Sequence, residues 1–367
     1  MSTVCVPPGF EEHAKLFFRI YDLESSHTCP EMKMTGLKPK TSRRCRFCGN
    51  SYSPNTKFRK DAHLFPNLLG NRYLVSDFEC DRCNSTFSKY ENDLANFLGA
   101  SRVLNDVKGK EKIKFVSPEK SLRAEKTNLS NIQEGILPEG LLFDRDNISD
   151  QTFTFDKNTG QAKITYTKPS YRPINVYKIF LKMALSCIKE EDTKYFKRTL
   201  EILMTKELDG SIESLCTMGV YTQHIAGGYP APIGFLYRRK DTTSFIYPAY
   251  VFALYFQNYI YQMFIPYCIF DLPLYFKSAI PYIWSPPVFS TEVEIPKITY
   301  SPINLGRTDM VKGEKHSVNF KVSQDELTNI VRYDPATKTT EASQLDLENA
   351  KGIFFIDENA RINIPKE

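Results

Sequence analysis

Cysteines recur in two CxxC pairs, Cys45 with Cys48 and Cys80 with Cys83, with 31 residues (49–79) between them. Two such knuckles supply four thiolates, the closed tetrahedral set that a structural zinc takes. Any fold of the chain must therefore bring these two segments within a few ångströms. The interval is longer than that of a usual zinc ribbon, so something is inserted between the knuckles. The other five cysteines, Cys5, Cys29, Cys187, Cys216 and Cys268, are scattered and read as isolated thiols in or near the core. An odd total of nine does not suit a secreted disulfide framework. The opening MSTVCVPPGFEEH carries acids and paired prolines where a signal peptide needs a basic start and an apolar run. The expectation is a cytoplasmic protein with reduced thiols, whose clustered cysteines bind metal.

Charge singles out the same region. Residues 1–110 hold 17 Lys and Arg against 12 Asp and Glu, whereas the remainder holds 31 of each. From Lys33 to Lys60 there are nine basic residues and no acid: Lys33, Lys38, Lys40, Arg43, Arg44, Arg46, Lys57, Arg59 and Lys60. A phosphate backbone attracts such a run, while a solvated basic face without a partner is the bland alternative. With 367 residues and 41% hydrophobic content, the chain can bury a large core, which excludes a disordered or collagen-like protein.

Pattern shifts mark the organisation, because no repeat or Gly/Ser linker does. Helical periodicity stops after Leu98-Gly99, and the charge-rich stretch that follows suits a connector. This places a first domain at 1–104, a connector at 105–150 and a second domain at 151–367. The second domain opens with TFTFDKNTGQAKITYT, in which alternating residues flank Asn158-Thr159-Gly160, a β-hairpin signal. Val176, Ile179, Phe180, Met183 and Cys187 then fit one helix face, and Phe196, Leu200 and Leu203 a second. Residues 242–270 carry no charge but are rich in Tyr and Phe and interrupted by Pro248, Gln257, Asn258 and Pro266. They read as a buried hairpin turning near Gln257-Asn258 rather than as a membrane span. VEIPKITY, HSVNFKV and GIFFID look like further strands, so an α+β domain with a mostly antiparallel sheet is expected.

Phosphodiester hydrolysis needs a base to activate water and a cation to stabilise charge on the phosphate, so one His beside one divalent ion is sufficient equipment. His63 is the only histidine in the basic, cysteine-stapled segment. Its stretch reads AH-x2-P-x3-G-N from Ala62 to Asn71, and the second knuckle reads ECDRCN from Glu79 to Asn84. This segment, about 43–99, resembles an HNH endonuclease, the ββα-metal fold, of the zinc-stapled branch with CxxC…His…CxxCN that includes phage junction-resolving enzymes.

The resemblance implies an N-terminal ββα-metal HNH domain with a structural Zn²⁺. It implies His63 as general base, Asn84 as ligand of a catalytic Mg²⁺ or Mn²⁺, and Asn71 as the residue that orients the base, although Asn71 also suits a turn beside Gly70. The acidic ligand usual just before the base is replaced by Ala62. If Ala62 and His63 lie on a strand, Asp61 shares the face of His63 and could reach the ion. Glu91, seven residues after Asn84 on a helix, falls about 10 Å along the axis and is an alternative ligand or sits behind the direct ligands. Phe87, Tyr90, Leu94, Phe97 and Leu98 on the same helix form a core stripe.

Elsewhere, His224 reads as lying in a loop and His316 in a strand, neither with a triad, and no glycine-rich phosphate loop points to ATP or GTP hydrolysis. Two functions follow. One is a metal-dependent nuclease acting on DNA, with RNA also open. Its C-terminal domain would hold it in check through a ligand or partner, in the manner of bacterial defence effectors. The other is a zinc-stapled nucleic-acid binding module without catalysis, which Ala62 favours. No membrane association is expected.

Overall fold

The computed structural model describes residues 6, 8–104, 107, 113–120, 122–127, 140–144, 153–156, 158–205, 218–241, 245–276, 283–288, 299–321, 331–334, 339–342 and 352–356. Elements run in chain order as α1 (Glu11–Ile20), β1 (Tyr21–Thr28), β2 (Ala62–His63), β3 (Val75–Ser76), α2 (Asp81–Leu98) and α3 (Ser101–Leu104). They continue as β4 (Lys114–Val116), β5 (Arg123–Thr127), β6 (Gly140–Asp144), β7 (Phe153–Asp156), β8 (Gln161–Thr167), α4 (Pro173–Cys187) and α5 (Lys197–Met204). The rest are β9 (Gly219–Arg239), β10 (Tyr250–Phe264), β11 (Thr299–Asn304), β12 (Lys315–Lys321), β13 (Val331–Asp334), β14 (Thr339–Ala342) and β15 (Gly352–Ile356). The class is α+β, and every strand pairing described is antiparallel.

Two compact units result, and each joins separate stretches of chain: Met1–Ala95 with Tyr171–Met310, and Asn96–Ser170 with Val311–Glu367. In the first unit β9 is the spine. It pairs with β10 along one side and with β1 and β11 on the other. Phe17, Ile20 and Tyr21 pack with Tyr229, Tyr237, Val251, Tyr255 and Phe264 as its aromatic core. The second unit holds the sheets β12-β8-β7 and β15-β6-β5-β4. Its core gathers Val103, Phe115, Leu122, Ala124, Ile164 and Tyr166.

The hairpin read at 152–167 is β7–β8, with Asp156 opposite Gln161 and Gly160 at φ 67° in its turn, a left-handed conformation that costs glycine little. Of HSVNFKV, His316 to Lys321 lie in β12, and GIFFID contains β15; of VEIPKITY, Thr299 and Tyr300 open β11, and the rest lies outside the described residues. Within 105–150, read as a connector, the structure places β4, β5 and β6, paired in sequence order.

Two expectations are corrected. Residues 250–264 form one strand, not a hairpin turning at Gln257-Asn258. Gln257 adopts φ 55° and the register with β9 slips on both sides of it, so the chain bulges there and continues instead of reversing. His224 lies in β9, not in a loop, opposite Tyr259 on β10 and Thr299 on β11. Rungs to β10 and β11 on either side of His224 hold the chain extended there. Among the described residues no helix is long and apolar enough to cross a membrane.

Helix α4 positions the site. Proline at its first turn starts it, and all but one of its 15 residues are buried, Lys178 and Lys182 included. Leu, Ile, Val and Phe on every side explain burial all round, beyond the single face that periodicity suggests. The two lysines need partners inside the protein.

Candidate metal centre and active site

The first knuckle is built from local hydrogen bonds. The Cys45 amide donates to Asn50 O (2.8 Å) and the Gly49 amide to Cys45 O (2.8 Å), with Gly49 at φ 73°. The Arg46 amide donates to Phe78 O (2.8 Å), tying this knuckle to the segment that enters the second. Cys80 precedes α2 and Cys83 lies in its first turn. The four sulfurs of Cys45, Cys48, Cys80 and Cys83 lie within 4.8 Å of one another. Three of these cysteines are buried and Cys48 partly so.

Four thiols this close share protons unequally. Hydrogen bonding to Cys80 is the largest effect on Cys45, whose thiol is pushed up to about 12. Bonds from Cys45 and Cys83 hold Cys80 low, and bonds to Cys45 and Cys80 push Cys83 up. Four thiolates alone would repel in this half-dry pocket, and a divalent cation removes that conflict. The donor set fits a structural metal such as zinc, and among the described residues it is the one cluster of three or more His, Cys, Asp or Glu that could hold an ion. Cys187 and Cys268 are buried and Cys29 partly so, in keeping with isolated thiols; Cys5 and Cys216 lie outside the described residues.

Between the knuckles the chain forms a short β-pair, Ala62 opposite Ser76 and His63 opposite Val75. The loop joining β2 to β3 is held by Asn71, which is fully buried. Its Nδ2 donates to Phe65 O (2.7 Å) and Leu74 O (2.8 Å), and its Oδ1 accepts from the Leu74 amide (2.8 Å). Gly70 closes the 67–69 turn at φ 94°, where a Cβ would be strained. Asn71 thus holds the loop together beside Gly70, and that loop joins the strand of His63 to β3.

Asp61 is exposed and lies 3.5 Å from Lys33 Nζ. Ala62, just before His63, is buried at 1% exposure. Asn84 sits part-buried in the first turn of α2, and Glu91 part-buried two turns on, which the helical rise separates by about 10 Å. Burial raises the Glu91 carboxyl, an effect that the Lys182 ammonium opposes. The stripe of Phe87, Tyr90, Leu94, Phe97 and Leu98 is buried as expected.

Asp81 begins α2 and ties down the strand approach. Its Oδ1 accepts the amides of Arg59 (2.8 Å) and Lys60 (3.0 Å), and Arg59 Nε meets Oδ2 at 3.1 Å. Partial burial raises its carboxyl, but these bonds prevail and hold it below the usual range.

Of the nine basic residues, Arg46 turns inward and donates to Leu185 O (2.8 Å) and Ser186 O (3.0 Å) at the end of α4, its guanidinium 3.8 Å above the Phe78 ring. Lys33, Lys38 and Arg59 pair with Asp61, Glu190 and Asp81. Lys40, Arg44 and Lys60 are exposed.

Sequence reasoning missed the support beneath the site. Five residues of α4 meet the segment in order. The Asp93 carboxylate accepts Asn175 Nδ2 at 2.7 Å, Lys178 Nζ lies 5.4 Å from the Tyr90 ring centre, Lys182 Nζ lies 6.0 Å from that of Phe87, and the carbonyls at 185–186 take Arg46. Burial lowers Lys178 to about 8, and its ammonium donates to Thr205 O. Lys182 pairs with Glu79 at 3.1 Å, both side chains at or below 1% exposure. A signal existed in the sequence: two lysines one helical turn apart in an otherwise apolar helix.

Residues 45–96 match the model of the HNH endonuclease family. No curated protein and no solved structure matches the chain.

Proposed function

Starting from an HNH endonuclease domain at 45–96, we propose that the protein is a metal-dependent endonuclease that hydrolyses phosphodiester bonds in DNA. One observation carries the reading: His63 stands on a strand between two cysteine knuckles, ahead of a loop locked by buried Asn71, with α2 starting at the second knuckle. In this reading the cysteines fold the segment and take no part in the chemistry. His63 accepts the proton of the attacking water, and Asn71 keeps its strand in place.

The Asp61 carboxylate and the Asn84 amide oxygen would hold a Mg²⁺ or Mn²⁺, with Glu91 behind them. Oxygen donors suit a hard cation that keeps most of its waters and needs only one or two protein ligands. Such a cation, when bound, stabilises charge on the phosphate and the leaving oxygen. Exposed Lys40, Arg44 and Lys60 would meet the phosphate backbone, giving salt-sensitive binding with little sequence preference. The C-terminal domain read at 151–367 would decide when or where cleavage occurs, as a host that tolerates a nuclease requires, and defence against invading DNA would use such restraint.

The second reading, a binding module without catalysis, rests on Ala62 in place of an acid. Incubating the purified protein with plasmid DNA, with and without Mg²⁺ or Mn²⁺, beside a His63→Ala form, separates the two. The nuclease reading expects metal-dependent nicking that His63→Ala abolishes while zinc content and DNA affinity stay. Equal DNA binding by both forms with cleavage by neither would establish the binding module.

A further inference from the structure

The geometry points to Lys182 of α4, outside the HNH segment, as the residue that positions His63. This rests on the nuclease reading and extends it to a residue more than a hundred positions along the chain. The β2–β3 pair has only two residues on each strand. Such a short ladder restrains a strand weakly, so the direction of the His63 side chain needs further support.

That support comes from the other side. The Lys182 ammonium donates to His63 O, lies 3.5 Å from Leu64 O and pairs with Glu79 Oε2 at 3.1 Å. Its three donors thus face the backbone of the base and the residue before Cys80. A charged donor on a residue's own carbonyl is a strong restraint on the backbone that aims the side chain. An apolar residue could fill the space but could not hold a carbonyl.

The other links between α4 and the segment go elsewhere, Arg46 to the first knuckle and Asn175 to Asp93, which leaves Lys182 as the described contact from α4 that reaches the strand of the base. Buried ammonium and carboxylate also balance each other's charge here: burial raises the Glu79 carboxyl and the Lys182 charge opposes that rise. The base, the second metal knuckle and α4 therefore meet at one nitrogen.

The test uses the full chain in three forms: wild type, Lys182→Arg, and the neutral pair Glu79→Gln with Lys182→Met, which avoids leaving one buried charge alone. Zinc content, KM and kcat for a short duplex, and the ring NMR signals of ¹³C-labelled histidines at one pH are measured, with His63→Ala identifying the His63 signal among the five histidines. The neutral pair is expected to keep zinc and KM while kcat falls about ten- to a hundredfold, the loss that a misplacement near 1 Å produces. The His63 signal should move and those of the other histidines should not. Lys182→Arg, which keeps the charge, should fall between the two.

An unchanged kcat and an unmoved His63 signal in the neutral pair would overturn the proposal. Should that pair not fold, Lys182→Arg decides, wild-type kcat overturning the proposal and a lower kcat at constant KM supporting it. A wild type that cuts nothing defeats the nuclease reading alone; the His63 signal then decides whether Lys182 positions that residue.

Discussion

At the scale of single residues, the ionisable groups of this protein are set by what surrounds them more than by their type. His316 on β12 faces Tyr166 on β8, the rings 5.5 Å apart, and shares its surroundings with Lys168 and Glu314. Burial, and then the Lys168 charge, lower its pKa from 6.5 to about 4. Above pH 6.5 the ring is neutral in both states and the full stability is present. Between 6.5 and about 4 the unfolded chain takes up the proton first, so stability is lost as pH falls. His316→Phe keeps a ring against Tyr166 and should remove about 2 kcal/mol of this loss between pH 7 and pH 4.5. Urea unfolding at both pH values checks it: the variant's difference should be smaller, and an equal difference would assign the loss to other groups.

Elements dock through a few close approaches, and Gly234 on β9 shows how little tolerance one of them has. A Cβ placed there would lie 2.4 Å from Phe65 Cζ and 3.1 Å from Phe252 Cε2. Phe65 is fully buried and its carbonyl is held by Asn71, so the ring has nowhere to retreat without moving the loop. Overpacking of this kind costs about 1–3 kcal/mol. Gly234→Ala is therefore expected to lower stability by that amount. It should also lower cleavage activity if the β2–β3 loop governs His63; a melting temperature equal to wild type would show that the sheet yields instead. β9 runs for 21 residues, and Gly227 and Gly228 fall where its register with β10 slips, between the rungs at His224 and Tyr229.

For the molecule as a whole, the candidate nuclease segment does not stand apart. Residues 45–95 lie in one compact unit with α4, β9 and β10. Arg46, Glu79, Tyr90 and Asp93 all meet side chains or carbonyls of α4. Loss of the metal should then be felt beyond the knuckles. Cys83→Ser, or stripping zinc with a chelator, is expected to lower amide protection in α4 together with that of 45–95 when followed by hydrogen exchange. Protection of α4 equal to that of the intact protein would mean that the segment folds without help from the rest of the unit.

Local chemistry made part of this protein legible in the sequence. Cysteine spacing announced the metal cluster, because thiolate geometry is set within four residues at each knuckle. Alternation and turn residues announced β7–β8, and the apolar stripe announced α2 and its buried face. The ββα order around His63 was an expectation drawn from the family resemblance, and β2, β3 and α2 follow in that order. What lay beyond them depended on partners distant in the chain. Gln257-Asn258 reads as a turn until β9 is present to carry the strand past it, and His224 reads as a loop residue until β10 and β11 flank it. Lys182 looks like one more helix lysine, and Glu79 like one more acid beside a knuckle. Only folding, by taking both out of water, made each the other's required partner and brought that pair to the carbonyl of His63.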